Sequence, residues 1–136
     1  MRKIVIILIY SVNIFAFDIK TASLIFEKIF LALSHQDTAY VYSSNREYQK
    51  VIDESSLLYL DQKANFVIVT KKSEIPTDKK KILFTTDPEI LKVYKNVVGA
   101  FYWERGHPKI IFIRSRLQDA NLKLDSKFNK YMVDKI

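Results

Sequence analysis

The chain has 136 residues, a formal net charge of +7, two histidines and no cysteine. This length corresponds to one ordinary domain with a sizeable hydrophobic core, and it makes a second folded domain unexpected. The lack of cysteine excludes disulfides, a thiol nucleophile and a lipid-anchor cysteine. The folded domain must therefore be stabilised by its own packing and not by covalent cross-links.

The first residues have the pattern of a secretory signal. Arg2 and Lys3 are basic, residues 4–10 are continuously apolar, and the small residue Ala16 precedes the first acid, Asp18. The sequence predicts a signal peptide over residues 1–16. It also predicts a single domain over residues 17–136 that is periplasmic or secreted.

Cleavage after Ala16 would remove both early cations and lower the formal charge from +7 to +5. An uncleaved anchor is the alternative. A membrane-spanning helix needs about 20 apolar residues, whereas this segment is interrupted by Ser11 and Asn13. We expect no stable membrane insertion once the signal is cleaved.

Helix and strand patterns alternate through the first half of the remaining chain. Apolar residues three and four apart predict an amphipathic helix over 18–35, with Asp18 as its cap. A strand over 38–42 and a helix over 46–53 follow. The run 57–60 is compatible with a strand but too short to decide.

The second half contains two continuous apolar runs and a hairpin pattern. We predict buried strands over 66–69 and 82–84, separated by a lysine-rich loop, and a helix that begins at Asp87 and Pro88. Gly106 and Pro108 indicate a hairpin turn longer than the minimum. The remaining predictions are hairpin strands over 97–103 and 109–113, a short helix, and a last helix capped by Asp125 and Ser126 that buries Phe128, Tyr131 and Met132.

These elements together predict an α/β fold. Its sheet is small and mixed, helices pack on it, and a β-hairpin lies in the C-terminal half.

Catalytic motifs are not apparent in the sequence. There is no Gly-x-Ser-x-Gly, phosphate loop or His-Glu-x-x-His. His35 and His107 are far apart in sequence, with no carboxylate at ligand spacing. We therefore expect no enzymatic activity, no metal and no cofactor.

Two pairs of hydroxyl side chains follow predicted strands. If those strands are parallel, both pairs lie beside helix N-termini, whose N–H groups favour anions. A small anionic solute could bind there, although the same hydroxyls could simply cap the helices. The residues of this candidate ligand site are Ser43, Ser44, Thr85 and Thr86.

The hairpin tip is a second candidate site, for a protein partner. Large aromatic residues run into a charged turn there, and aromatic and arginine side chains are common anchors of protein interfaces. An ordinary core role for most of the rings is the alternative. The candidate partner-binding residues are Trp103, Glu104, Arg105 and His107.

Five lysines at 71, 72, 79, 80 and 81 form a basic loop. They could meet an anionic membrane surface or nucleic acid. Export argues against nucleic acid, and a solvated loop that discourages strand pairing is the other interpretation.

The C-terminal third contains the run from Gly106 to Phe112, followed by Leu117, Ala120, Leu122, Leu124, Ser126 and Phe128. In this pattern it resembles the YfiR-like family of periplasmic proteins. The resemblance implies a non-catalytic periplasmic regulator that restrains a membrane-bound diguanylate cyclase through protein contact.

Overall fold

The computed structural model describes residues 18–136. The predicted signal peptide lies outside these residues. The helices in the described part of the chain are α1 (Ile19–Ser34), α2 (Arg46–Glu54), α3 (Pro88–Val93) and α4 (Arg114–Asp119), with short 3-10 helices at Lys72–Glu74 and Ser126–Tyr131. The strands are β1 (Ala39–Tyr42), β2 (Leu58–Leu60), β3 (Phe66–Val69), β4 (Ile82–Thr85), β5 (Val97–Glu104), β6 (His107–Ile113) and β7 (Met132–Val133).

The strands form one seven-stranded sheet in the order β2-β1-β3-β4-β5-β6-β7. The first five strands of that order are parallel. β6 is antiparallel to β5, and β7 is parallel to β6. The predicted α/β class, with a mixed sheet, packed helices and a C-terminal-half hairpin, is confirmed. We call the edge where the five parallel strands end the carboxyl edge, and the opposite one the amino edge.

Most predicted elements agree with the structure to within one or two residues. The undecided run at 57–60 forms β2 at one end of the sheet. The lysine-rich loop is irregular except for the 3-10 turn Lys72–Glu74. Within residues 18–136, no helix combines the length and apolar character needed to cross a bilayer.

Helix α1 begins at the residue the sequence predicts. An oxygen of Asp18 accepts from the backbone N–H of Lys20 at 3.0 Å, and the other accepts from the hydroxyl of Thr21 at 2.8 Å. The hydrogen bond from Thr21 lowers the pKa of Asp18. The predicted apolar stripe of α1 is buried against the sheet, at Ala22, Phe26, Ile29, Phe30 and Leu33.

Phe26 is the centre of an aromatic cluster on the face of the sheet that α1 and α2 cover. Its ring centroid lies 6.0 Å from Phe30, 5.9 Å from Tyr48, 5.9 Å from Phe84 and 5.4 Å from Phe101. These rings come from α1, α2, β4 and β5. The cluster therefore ties both helices to the middle of the sheet.

The opposite face is covered by α3 over the centre of the sheet. Ile90 and Leu91 of α3 pack in one cluster with Val69 and Leu83. Toward the β2 end, no helix of the described residues covers this face, and Tyr59 there is 49% exposed.

The hairpin turn is shorter than the sequence predicts. Glu104 pairs directly with His107, so only Arg105 and Gly106 form the turn. Both have positive φ, 53° and 81°, as a two-residue type I′ turn requires. Pro108 can continue β6 because β7 pairs only with residues 112 and 113, so no described strand lies on the other side of β6 at this end.

The last helix also differs from the prediction. Asp125 accepts from the backbone N–H of Lys127 at 3.4 Å, but the helix is 3-10 and ends at Tyr131. Met132 then pairs with Phe112 in β7 instead of continuing the helix. Pairing with the open side of β6 satisfies backbone groups that a longer helix would leave exposed on that strand.

Arg116 holds the start of β5 against the end of α3. Its Nη1 atom donates to the carbonyl oxygens of Leu91, Tyr94 and Val97, at 2.5, 3.1 and 2.9 Å. Two of these carbonyls belong to the last turn of α3 and its cap, where a cation is favoured. Burial lowers the pKa of this guanidinium. No local pattern in the sequence distinguishes Arg116 from the other cations.

Candidate functional site

The β5–β6 hairpin projects beyond the rest of the carboxyl edge. Ala100 pairs with Thr85, the last residue of β4, so residues 101–104 extend past that strand. At 3.3 Å per residue the overhang is about 13 Å. On the other side, β7 pairs with β6 only at residues 112 and 113. The hairpin tip is therefore unpaired on both flanks within the described chain.

A cleft of about 430 Å³ lies between this overhang and the ends of α2 and β4. It brings together residues from the two sites that the sequence predicts separately, since Thr86 of the hydroxyl set faces Trp103 and Glu104 of the hairpin set. The lining residues are Tyr48, Thr86, Pro88, Phe101, Tyr102, Trp103 and Glu104.

The three consecutive aromatic residues of β5 have three different environments. Phe101 is buried, Tyr102 is half-buried, and Trp103 is 48% exposed. The Trp103 ring lies 6.1 Å from the ring of Phe101. Phe101 thus belongs to the core and supports the indole from behind, while the free face of Trp103 is open to solvent.

The turn next to Trp103 is charged and exposed. Glu104 pairs with Lys109 across the hairpin at 3.4 Å, and both side chains remain about half exposed. Arg105 and His107 are exposed at the tip. The Trp103 ring therefore lies beside exposed side chains that carry charges of both signs.

The predicted hydroxyl pairs lie apart because β3 runs between β1 and β4. Ser43 and Thr85 are fully buried. Ser43 accepts from the backbone N–H of Asn45 at 3.1 Å. Thr85 donates to the carbonyl of Val69 at 2.7 Å and accepts from the backbone N–H of Asp87 at 3.1 Å. Both hydroxyls thus form hydrogen bonds with the backbone that stabilise the fold.

The two remaining hydroxyls differ from each other. Ser44 is exposed, and it is Asn45 that caps α2, accepting from the backbone N–H groups of Glu47 and Tyr48 at 2.9 and 3.4 Å. Thr86 is the one member of the predicted hydroxyl set that lines the cleft.

A polar network that the sequence analysis missed occupies the space between the hydroxyl pairs. Asn45 donates to the hydroxyl of Thr70 at 3.2 Å. The backbone N–H and hydroxyl of Thr70 donate in turn to Glu74, at 2.6 and 2.8 Å. Nothing in the sequence marks Glu74, which lies in the lysine-rich loop. Its carboxylate places negative charge where the predicted anion would bind.

Tyr48 forms the inner wall of the cleft. Burial raises the pKa of its phenol, while the hydrogen bond with Thr86 acts in the opposite direction and the charge of Glu74 adds to the rise. The phenol is therefore neutral across physiological pH and serves as a hydrogen-bonding group of the wall.

The described residues that line the cleft supply hydroxyls, aromatic rings and one carboxylate, Glu104, but neither histidine nor lysine. Among residues 18–136, no cluster of three or more histidine, aspartate or glutamate side chains is arranged to hold a metal ion. His35 lies elsewhere, at the end of α1, with a ring nitrogen 2.5 Å from the carbonyl oxygen of Lys123.

Comparison of the chain with family models, with curated proteins and with solved structures finds no match.

Proposed function

We propose that this chain is a non-catalytic binding or regulatory module that acts outside the cytoplasmic membrane through protein contact, with the hairpin tip as its contact surface. The observation that carries the proposal is the overhang of β5 and β6, which presents a half-exposed tryptophan beside a cleft. The export pattern of the first sixteen residues supports the location.

Trp103 has the properties of an interface anchor. Tryptophan and arginine are enriched among residues that dominate binding energy, and Trp103 and Arg105 are two residues apart on the same tip. The indole ring of Trp103 packs against Phe101. Glu104 and His107, on either side of the turn, pair directly. A two-residue turn between directly paired strand ends restricts the tip, which lowers the conformational entropy lost when a partner binds.

The partner class follows from the resemblance of the C-terminal third to YfiR-like proteins. We propose a membrane-bound signalling protein, and a diguanylate cyclase in particular. The charges of Glu104, Arg105 and Lys109 leave the tip with one net positive charge. A matching surface would offer an apolar pocket for the indole, with an acidic group near Arg105.

The alternative is a small solute-binding protein that recognises an anion at Ser43, Ser44, Thr85 and Thr86. The buried positions of Ser43 and Thr85 and the carboxylate of Glu74 weigh against it. Thr86 remains accessible from the cleft. Under this alternative, Thr86→Val should abolish any thermal stabilisation by small anions.

The test compares Trp103→Ala with Tyr59→Ala. We expect Trp103→Ala to weaken binding to the extracytoplasmic domain of a membrane-bound diguanylate cyclase from the same cell by about 30-fold or more, because anchor residues contribute about 2 kcal/mol or more. Tyr59 is a matched control because it is also a half-exposed aromatic, 49% against 48%, but lies at the β2 end of the sheet. Its replacement should leave the affinity unchanged. Equal affinities of the two variants, with both folded, would contradict the proposal.

A further inference from the structure

A second, strongly basic groove lies at the amino edge of the sheet, remote from the hairpin tip. Its volume is about 520 Å³, and it is bounded by the loop before β4, the turn before β5 and helix α4. Five cationic side chains and one carboxylate, Asp119, line it. The cations are Lys79, Lys80, Lys81, Lys95 and Arg116.

Two of these cations form hydrogen bonds with backbone carbonyls and so stabilise the fold. The ammonium of Lys81 donates to the carbonyls of Lys63 and Ala64, at 3.1 and 2.8 Å. Arg116 donates to two carbonyls at the end of α3 and to one at the start of β5. They keep their charge while being fixed in place. Carbonyl partners do not neutralise them, so both still contribute positive potential to the groove.

The other three lysines of the groove, at 79, 80 and 95, are exposed. The positive charge of the groove exceeds its negative charge. Within residues 18–136, none of the four groove lysines forms an ion pair with a carboxylate. Several like charges around one concave surface raise the local potential and concentrate counter-ions there. An anionic ligand would relieve this repulsion.

We propose that the groove binds phosphate-bearing headgroups, so that this edge of the protein docks on an anionic lipid surface. Lysine ammonium groups are suited to phosphate as point charges. Among residues 18–136, no aromatic ring lines the groove for a nucleic-acid base to stack on.

The groove and the hairpin tip can be occupied at the same time. β5 begins beside the groove at Val97 and ends at the tip at Glu104. Seven residue steps separate these ends by about 23 Å. A protein docked by its amino edge would therefore hold the hairpin tip away from the lipid.

The experiment measures co-sedimentation of the full chain with vesicles of phosphatidylglycerol and phosphatidylcholine. Vesicles of phosphatidylcholine alone account for adhesion through the apolar first residues. The test variant is Lys79→Gln/Lys80→Gln/Lys95→Gln. It should bind the anionic vesicles about 100-fold more weakly, since each lysine near such a surface contributes about fivefold.

A matched variant removes the same charge elsewhere. Lys28→Gln/Lys127→Gln/Lys130→Gln alters a different groove, beside His35, where the ammonium groups of Lys127 and Lys130 lie over the rings of Phe128 and Tyr131. Its vesicle affinity should stay within a few-fold of the parent chain. Trp103→Ala should not change vesicle binding either, so failure of the hairpin proposal would leave this result intact.

Titration with inorganic pyrophosphate distinguishes the source of the phosphate. If the groove variant loses vesicle binding and the matched variant does not, the result supports the proposal with lipid as the source of the phosphate. Loss of pyrophosphate binding without loss of vesicle binding would overturn it, because the groove would then bind a soluble phosphate and not a lipid surface. Equal effects of the two triple variants, no effect of either, or tighter binding of RNA than of vesicles would overturn it.

Discussion

Replacing Phe26 with alanine should lower the free energy of unfolding by about 4 kcal/mol, the largest effect of any single substitution considered. The side chain is fully buried and contacts rings from α1, α2, β4 and β5. Truncation would remove the buried apolar surface, leave a cavity, and break edge-to-face ring pairs worth about 0.5 to 1.5 kcal/mol each. Urea unfolding followed by circular dichroism measures the loss.

The control for this substitution lies two residues earlier on the same helix. Leu24 is 58% exposed, so Leu24→Ala should change the free energy of unfolding by less than about 0.5 kcal/mol. If Phe26→Ala and Leu24→Ala shifted the urea midpoint equally, α1 would not pack on the sheet in the way described here.

Replacing Gly99 with alanine should destabilise the protein by about 3 kcal/mol, because the added methyl group has no room. A Cβ at this position would lie 2.6 Å from the carbonyl oxygen of Ile111 and 2.9 Å from the rings of Phe84 and Phe112. The nearest atom belongs to the backbone of the paired strand, so a side-chain rotation cannot relieve the clash. β5 also carries an extra residue opposite Leu83 and Phe84, which fixes its position against β4.

Gly106 provides the contrast for Gly99. A Cβ at Gly106 would meet no atom within 4 Å, but φ is +81°. Gly106→Ala should therefore cost only the backbone strain of the left-handed region, about 1 kcal/mol. Thermal unfolding of both variants separates the effect of the steric clash at Gly99 from that of the backbone strain at Gly106. A smaller loss for Gly99→Ala than for Gly106→Ala would show that β5 and β6 are not so closely paired.

Local signals were sufficient to predict most of the elements. The apolar stripe and Asp18 predict α1, and Asp87 with Pro88 predicts α3, whose cap accepts from the backbone N–H of Glu89 at 2.9 Å. These signals act within a few residues, so they can be recognised in the sequence.

The errors arise where the outcome depends on distant partners. Pro108 indicated a longer turn, yet it fits in β6 because β7 does not extend to that end of the strand. The apolar pattern predicts Met132 in a helix, but Met132 pairs with Phe112 on the open side of β6. Neither feature can be inferred from neighbouring residues alone.

The candidate sites illustrate the same limit. Whether Ser43 and Thr85 converge depends on the strand order, and β3 separates them. The cleft that joins Thr86 to Trp103 exists because β5 is longer than β4. The sequence could suggest hydroxyls and aromatic residues as candidates, but only the register of the sheet determines which of them meet.

Crosslinking from the hairpin tip in living cells tests most directly whether the tip is the contact surface. A photoreactive phenylalanine analogue would replace Arg105 in one variant and Tyr59 in the other, and the adducts would be identified by mass spectrometry. We expect a covalent adduct with one membrane signalling protein from position 105 and none from position 59. Identical adducts from both positions, or an adduct from position 59 alone, would contradict the account.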